Sequence, residues 1–175
     1  MTNYFIVPGL GNSGAEHWQT YFEKSGTNFT RIGQNDWDTP TCADWVENIS
    51  KAIINHEPGN IVLIGHSLGC MAIANWAKSA KITIKGALMV APSDVEAPKY
   101  NFETLGFESV PLDKINFKTI IVASTNDEWI SINRARFFAD SWGSEFINIG
   151  EAGHINAASG YGEWKEGLEI LERFG

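Results

Sequence analysis

One stretch decides the fold of this chain: Asn60-Ile61-Val62-Leu63-Ile64-Gly65-His66-Ser67-Leu68-Gly69. An apolar run leads directly into a Gly-x-Ser-x-Gly motif, and a segment of small and apolar residues, 70–77, follows at once. This order predicts a buried strand, a sharp turn and a buried helix. In such a turn the serine is held in a strained conformation, so that its hydroxyl is exposed above the end of the sheet. We therefore interpret Ser67 as a nucleophile; the alternative is a glycine-rich strand-to-helix turn that merely contains a serine.

Length and composition indicate one globular domain spanning residues 1–175. The chain has 175 residues, of which 43% are hydrophobic, and this is enough for a single sizeable core. No apolar run approaches the roughly 20 residues of a membrane span. The first residues resemble a core strand at Tyr4–Val7 and do not resemble a charged leader, so the expected location is the cytoplasm.

Charge and cysteine content exclude several classes of function. The formal net charge is −8, and lysines and arginines form no cluster. Nucleic acids and anionic membranes both require a basic surface, so neither is an expected partner. Cys42 and Cys70 fall on different predicted helices, which favours two reduced core thiols over a disulfide or a metal site. We expect no metal and no organic cofactor.

Predicted strands and helices alternate along almost the whole chain. Continuous apolar strands that alternate with helices are typical of a parallel sheet covered on both faces, so the predicted fold is a doubly wound α/β domain. Ser13 and Glu16 form a capping-box pair that predicts the start of the first helix. Besides the run that leads to Ser67, strands are expected at 3–7, 29–34, 86–90, 118–123 and 145–149, and the later helices at 130–142 and 162–174.

Residues 91–117 interrupt this alternation. The segment contains three prolines, carries Tyr100, Phe102 and Phe107, and shows no clear period. A long irregular connection of this kind is often functional, so a flap that covers the substrate is one interpretation. A crossover loop with a short helix is the other.

A serine nucleophile needs a base, which a third group must orient. Of the four histidines, His154 follows the last predicted strand and is the favoured base, because catalytic groups of this fold class lie past the carboxyl ends of strands. His66 lies within the serine turn and has a structural role in this interpretation. His17 and His56 lie in or beside predicted helices, where surface or capping roles suit them.

The carboxylate that orients the base must also follow a strand. Asp127 comes after the fifth strand, immediately before the strand that leads to His154, and it is the favoured candidate. Asp94 follows the fourth strand in the same manner and is the alternative, while Glu128 is more typical of a solvated side chain. The order Ser67, Asp127, His154 is the one that the α/β-hydrolase arrangement requires.

Several motifs also carry a resemblance to a known family. The chain resembles the YdeN-type small serine hydrolases, a group that includes retinoblastoma-binding protein 9, over essentially its full length. This resemblance implies a compact α/β-hydrolase with a six-stranded sheet in the order 2-1-3-4-5-6, the triad named above and esterase-like activity on small acyl esters. The motifs that carry it are Val7-Pro8-Gly9-Leu10-Gly11, His17-Trp18, Gly65-His66-Ser67-Leu68-Gly69, Ser124-x-x-Asp127 and Gly153-His154-x-Asn156-x-x-Ser159-Gly160-x-Gly162-x-Trp164.

The predicted chemistry is hydrolysis of carboxylic esters or related acyl bonds, including thioesters and amides, through an acyl-enzyme. The oxyanion would be held by the backbone N–H groups of Leu68 and Leu10. Many hydrolases have His-Gly where this chain has Pro8-Gly9, a difference of little consequence because the donor is a backbone N–H. The alternative function is a protein-interaction module on a hydrolase fold, with a protein partner and incidental activity.

Overall fold

A six-stranded, wholly parallel sheet forms the centre of the molecule in the computed structural model, which describes residues 1–175. Its strand order, β2-β1-β3-β4-β5-β6, confirms the predicted order 2-1-3-4-5-6. The strands are β1 Asn3–Val7, β2 Phe29–Arg31, β3 Ile61–His66, β4 Gly86–Val90, β5 Lys118–Ala123 and β6 Glu145–Asn148.

Helices cover both faces of the sheet, as the continuous apolar strands predict. Alternate residues of β3 explain this, because Ile61 and Leu63 face one hydrophobic cluster while Val62 and Ile64 face the other. The first cluster contains residues of α2, α3 and α4, and the second contains residues of α1 and α5. The helices are α1 Trp18–Ser25, α2 Cys42–Ile53, α3 Leu68–Ser79, α4 Ile132–Trp142 and α5 Lys165–Leu171, with short 3-10 helices at Pro58–Asn60, Ala157–Ser159 and Glu172–Phe174.

The start of α1 differs from the prediction. The helix begins at Trp18, and its N-cap is His17, whose Nδ1 accepts a hydrogen bond from the backbone N–H of Gln19. Ser13 is not the cap because it lies before the N-cap position, and its hydroxyl donates instead to Oε1 of Gln19 at 2.6 Å. The predicted capping box of Ser13 and Glu16 is therefore wrong. The last helix also begins later than predicted, at Lys165.

Residues 91–117 connect β4 to β5 without a helix, so the short helix expected in the crossover interpretation is absent. The segment has an irregular backbone with one isolated bridge between Thr41 and Leu105. Phe107 is buried in the core beside Trp45, with the ring centroids 5.9 Å apart. The middle of the segment is therefore anchored to the core.

The fold brings five loops to one edge of the sheet. Because all strands are parallel, the loops after β1, β3, β4, β5 and β6 begin at the same edge. These loops carry the residues that the sequence singles out as candidates for catalysis. No helix of the molecule has the length and apolar character needed to cross a lipid bilayer.

Candidate active site

Ser67 lies in a strained turn between β3 and α3. Its backbone angles are φ 55° and ψ −122°, which lie outside the regions that residues with a Cβ normally occupy. Such conformations cost on the order of 1–3 kcal/mol and persist only where the surrounding structure enforces them. Close packing enforces this one, since a Cβ on Gly69 would lie 2.1 Å from the carbonyl oxygen of Val7.

Three side chains form a continuous line of hydrogen bonds at this turn. The hydroxyl oxygen of Ser67 lies 2.9 Å from Nε2 of His154. Nδ1 of the same imidazole lies 2.9 and 3.0 Å from the two carboxylate oxygens of Asp127. The Asp127 side chain is fully buried, and one of its oxygens also accepts the backbone N–H of Trp129 at 2.8 Å. The structure thus brings together the three residues predicted from the sequence.

The alternative carboxylates lie elsewhere. Asp94 is paired with Nε of Arg134 at 3.2 Å, and Arg134 also pairs with Glu96. Glu128 is exposed and forms no ion pair. Neither Asp94 nor Glu128 contacts His154.

Two further histidines pack behind His154. Nε2 of His66 donates to the backbone carbonyl of His154 at 2.9 Å, and the His66 and His17 ring centroids are 4.7 Å apart. Burial is the main cause that lowers the pKa of His66 well below its ordinary value, with the nearby His154 and His17 adding to it. Burial likewise lowers the pKa of His17 to about 4, helped by the charge of Arg31. Both rings are therefore neutral at pH 7. His17 has the expected capping role but lies buried beside the site.

A side-chain network joins the Asp127 loop to the His154 loop. The buried hydroxyl of Ser124 donates to Oδ1 of Asn126 and accepts the backbone N–H of Ala152 at 2.9 Å. The same Asn126 oxygen accepts the backbone N–H of Gly153 at 2.7 Å. Hydrogen bonds of this kind fix the separation of the two loops, and hence of the imidazole and the carboxylate.

Gln19 connects the carboxyl ends of β1 and β3, which lead into the loop after β1 and into the turn at Ser67. Its side chain is completely buried, and Nε2 donates to the carbonyls of Ile64 and Val7 at 3.1 and 3.4 Å. The sequence interpretation missed Gln19, because a lone glutamine within an apolar helical pattern carries no recognisable signal. It also missed Asn126, although the residue lies inside the Ser124-x-x-Asp127 motif.

Ser93 is a second hydroxyl at the site that the sequence interpretation missed. It follows β4, is buried, and places its Oγ 2.8 Å from Oγ of Ser67. The Ser93 side chain has no other hydrogen-bond partner within the chain. The sequence carries a weak signal for it, because Ser93 directly precedes Asp94 and follows a predicted strand.

Two backbone N–H groups beside Ser67 have no hydrogen-bond partner within the chain. They belong to Leu68, the first residue of α3, and to Leu10, in the loop after β1. Gly9 allows this loop to run against the serine turn, because a Cβ at Gly9 would lie 2.8 Å from Cβ of Ser67. Free N–H groups converging near a nucleophile can stabilise a negatively charged oxygen.

A cavity of about 280 Å³ opens over Ser67 and His154. The segment 91–117 contributes Tyr100 and Phe102 to its wall, and Trp129 from the Asp127 loop packs on Phe102 with ring centroids 5.3 Å apart. The hydroxyl of Ser67 is thus accessible to a small molecule through a partly aromatic opening. No group of three or more His, Cys, Asp or Glu side chains is arranged to hold a metal ion.

The two thiols lie outside this chemistry. Cys42 and Cys70 are both buried, and neither forms a disulfide. Burial raises the pKa of Cys42 to about 11 and that of Cys70 further still. Neither cysteine is a thiolate at neutral pH, which leaves Ser67 as the nucleophile candidate in the cavity.

Comparison with known proteins places this geometry in a family. The sequence model described as serine hydrolase matches residues 4–173, whereas the curated proteins yield no match. A solved structure described as a YdeN-like hydrolase from Pectobacterium atrosepticum is 32% identical, with a TM-score of 0.88 over 99% of this chain and 90% of that one. The ydeN gene product of B. subtilis is 18% identical, with a TM-score of 0.85 over 99% and 98% of the two chains.

A more distant match shares the fold alone. Est1E from Butyrivibrio proteoclasticus, solved with ferulic acid bound, is 13% identical, with a TM-score of 0.71 over 98% of this chain and 90% of that one. The family assignment rests on the sequence model, which spans nearly the whole chain, and on the relative that is 32% identical. The chain therefore belongs to the serine hydrolase family and has the α/β-hydrolase fold.

Proposed function

We propose that this hydrolase cleaves carboxylic esters of small acids through a covalent acyl-enzyme on Ser67, with His154 as the base and Asp127 as the group that orients it. The single observation that carries the proposal is the unbroken hydrogen-bond line from the Ser67 hydroxyl through both imidazole nitrogens to a buried carboxylate. A protein that only bound a partner would have no need of this alignment.

The tautomer of His154 follows from its neighbours. Asp127 as a carboxylate offers only acceptors, so Nδ1 carries the ring proton and Nε2 has the free lone pair. Nε2 can then accept the proton of Ser67 as its oxygen attacks an ester carbonyl. The imidazolium that forms returns the proton to the departing alcohol, and water later attacks the acyl-enzyme with His154 again acting as base.

The backbone N–H groups of Leu68 and Leu10 are the proposed oxyanion donors. Their support is the absence of any partner within the chain and the proximity of Gly9 to Ser67. Preorganised donors of this kind contribute about 10²- to 10³-fold each in related chemistry. Their position is fixed by the contact of Gly69 with the end of β1.

Size and lining of the cavity favour a small ester. A volume of about 280 Å³ is at or below the lower end of the range typical for drug-sized ligands. The aromatic side chains of Tyr100, Phe102 and Trp129 offer an apolar surface for part of the substrate. Thioesters and amides of similar size are alternatives that the same residues could cleave.

A hydrolysis assay on short esters tests the proposal. We expect wild-type protein to hydrolyse 4-nitrophenyl acetate and butanoate with saturation kinetics and a burst of 4-nitrophenol wherever deacylation is slower than acylation. Ser67→Ala should reduce kcat by at least about 10³-fold while leaving the far-ultraviolet circular dichroism unchanged. Equal rates for Ser67→Ala and wild type would refute Ser67 as the nucleophile.

A further inference from the structure

The cavity over Ser67 is lined by two chemically different sets of side chains. One is apolar, with aromatic rings from the segment 91–117 and from Trp129. The other set is polar and includes Asn12, His17 and Asn156, three side chains that we call the polar wall. None of the residues that line the cavity carries a carboxylate, although the chain as a whole has a net charge of −8.

The free end of Asn12 is a hydrogen-bond donor. Its Oδ1 accepts the backbone N–H of Ser13 and a guanidinium N–H of Arg31, each at 2.7 Å. Both partners can only donate, so the orientation of the amide is chemically determined. The remaining Nδ2 group of Asn12 has no partner within the chain, and it is polarised by the charge of Arg31 on the other side of the amide.

Hydrogen bonds also determine the orientation of the Asn156 amide. Its Oδ1 accepts the backbone N–H of Ser159 at 2.9 Å and the Ser159 hydroxyl at 2.9 Å. Because the backbone N–H can only donate, the amide oxygen of Asn156, and not its nitrogen, must face Ser159. The Nδ2 group of Asn156 is left without a partner.

His17 contributes a third donor. Its Nδ1 accepts the backbone N–H of Gln19 at 3.2 Å and therefore carries no proton. In the neutral ring the proton is then on Nε2, a buried atom without any hydrogen-bond partner. A buried donor without a partner costs about 1–3 kcal/mol, so His17 is an unsatisfied donor in the lining of the cavity.

We infer that the polar wall is a recognition site for a second acceptor group of the substrate, a carboxylate or an amide carbonyl, in addition to the ester that is cleaved. The inference rests on the proposed ester hydrolysis at Ser67. All three side chains have their acceptor atoms satisfied inside the protein and keep only N–H groups free. A wall of this composition binds acceptors and offers nothing to a donor group. The apolar part of the substrate lies against the aromatic wall.

Two series of unactivated esters test this inference, one for each side of the ester bond. With the acceptor on the acyl side, the series is ethyl pentanoate, monoethyl glutarate and ethyl glutaramate. With the acceptor on the alcohol side, it is butyl acetate, 4-acetoxybutanoate and 4-acetoxybutanamide. Within each series the chain length is constant, and only the terminal methyl is replaced by a carboxylate or an amide. Acid release at constant pH gives kcat/KM for all six.

We expect kcat/KM in one series to be at least about tenfold higher for an acceptor-bearing ester than for its apolar counterpart. A higher value for the carboxylate than for the amide identifies an anionic substrate, and the reverse order identifies a neutral one. Apolar esters that react as fast as both acceptor-bearing esters in both series would overturn the inference.

Aspartate variants test whether the polar wall causes the preference for acceptor-bearing esters. Asn12→Asp and Asn156→Asp keep the inner oxygen that accepts the bonds from Ser13, Arg31 and Ser159, but they replace the free N–H₂ with an oxygen. Each should reduce the preference for the carboxylate ester by about tenfold or more. Asn116→Asp is the matched control, because this exposed residue precedes β5 at the opposite edge of the sheet. An equal reduction in the Asn116 variant, or none in the other two, would contradict the assignment.

Labelling with a fluorophosphonate distinguishes a failure of substrate recognition by the polar wall from a failure of the proposed nucleophile. If Ser67 is labelled and no ester shows a preference, the inference about the wall fails while the proposed nucleophile stands. If Ser67 is not labelled and none of the six esters is cleaved, the proposed function fails together with it.

Discussion

At the scale of single residues, the Ser67 hydroxyl has two partners with different roles. It donates its proton to Nε2 of His154, which leaves its lone pairs for the Ser93 hydroxyl 2.8 Å away. Ser93 has no other partner, so it donates to Ser67. This bond orients the nucleophile and stabilises negative charge on its oxygen, which develops when Ser67 is the leaving group during breakdown of the acyl-enzyme.

Replacement of Ser93 should therefore affect turnover more than binding. We expect Ser93→Ala to reduce kcat for 4-nitrophenyl butanoate by about tenfold, because one hydrogen bond to a charged atom is lost, and to change KM less. Pre-steady-state kinetics should assign the larger loss to deacylation. An unchanged kcat, or a loss confined to KM, would mean that Ser93 only fills space.

The two aspartates offer a direct comparison. Asp127→Asn should reduce kcat by about 10³- to 10⁴-fold, since an amide no longer selects the tautomer with the proton on Nδ1 of His154. Asp94→Asn removes a charge that is paired with Arg134 and should change kcat by less than about threefold. Steady-state kinetics of both variants decide between them, and a larger loss in the Asp94 variant would reverse the assignment.

At the scale of elements, the contact between α3 and the end of β1 joins the nucleophile to the proposed oxyanion donors. A Cβ at Gly69 would lie 2.1 Å from the carbonyl oxygen of Val7 and 2.6 Å from that of Pro8. Backbone atoms cannot move aside as a flexible side chain would. The helix and the loop after β1 would have to separate.

Gly69→Ala should consequently reduce both stability and activity. We expect the free energy of unfolding to fall by about 1–3 kcal/mol, as for other overpacked sites, and kcat to fall because Leu10 moves away from Ser67. Urea denaturation gives the first quantity and ester hydrolysis the second. Gly59→Ala is the control, since a Cβ at Gly59 meets nothing within 4 Å. If both variants unfold at the same urea concentration, the close contact of Gly69 with the end of β1 does not affect the free energy of unfolding.

The elements differ in how well the sequence predicts them. The parallel sheet with helices on both faces could be predicted because residues such as Ile61 to Ile64 are apolar on both faces, whereas the order of its strands is implied by the resemblance to a known family. The start of α1 could not, since Ser13 and Glu16 match a capping box but the helix begins at Trp18 with His17 as its cap. Histidine is not among the residues preferred at an N-cap, so the local pattern favours Ser13.

The residues of the site also differ in how well the sequence predicts them. Ser67, Asp127 and His154 each follow a strand, so chain order and sheet topology suffice to suggest that they meet. Ser93 and Asn12 form hydrogen bonds of 2.7 to 2.8 Å with side chains far along the sequence. Only the folded chain reveals those contacts.

At the scale of the whole molecule, two buried neutral histidines couple stability to pH. The pKa of His17 is lowered to about 4 and that of His66 lies well below 6.5, in both cases mainly by burial. In the unfolded chain a histidine has a pKa of about 6.5. Between that value and about 4 the unfolded chain binds protons that the folded protein does not, so stability is fully present above pH 6.5 and is lost as the pH falls.

We expect the free energy of unfolding to fall between pH 6.5 and 4.5 by up to about 1.4 kcal/mol per pH unit for each of these histidines. Urea denaturation at several pH values measures this slope. His17→Asn keeps an acceptor for the N–H of Gln19 but does not titrate, so its slope should be smaller by about the contribution of one histidine. An identical slope in the variant would show that His17 is protonated equally in the folded and unfolded chains.

The central claim is that Ser67 is an activated nucleophile, and covalent labelling tests it most directly. A fluorophosphonate should react with the wild-type protein, and mass spectrometry of the digested product should find the adduct on the peptide that contains Ser67. Ser67→Ala should remain unlabelled, and Asp127→Asn should react far more slowly. Absence of labelling in the folded wild-type protein, or an adduct on another residue, would contradict the account.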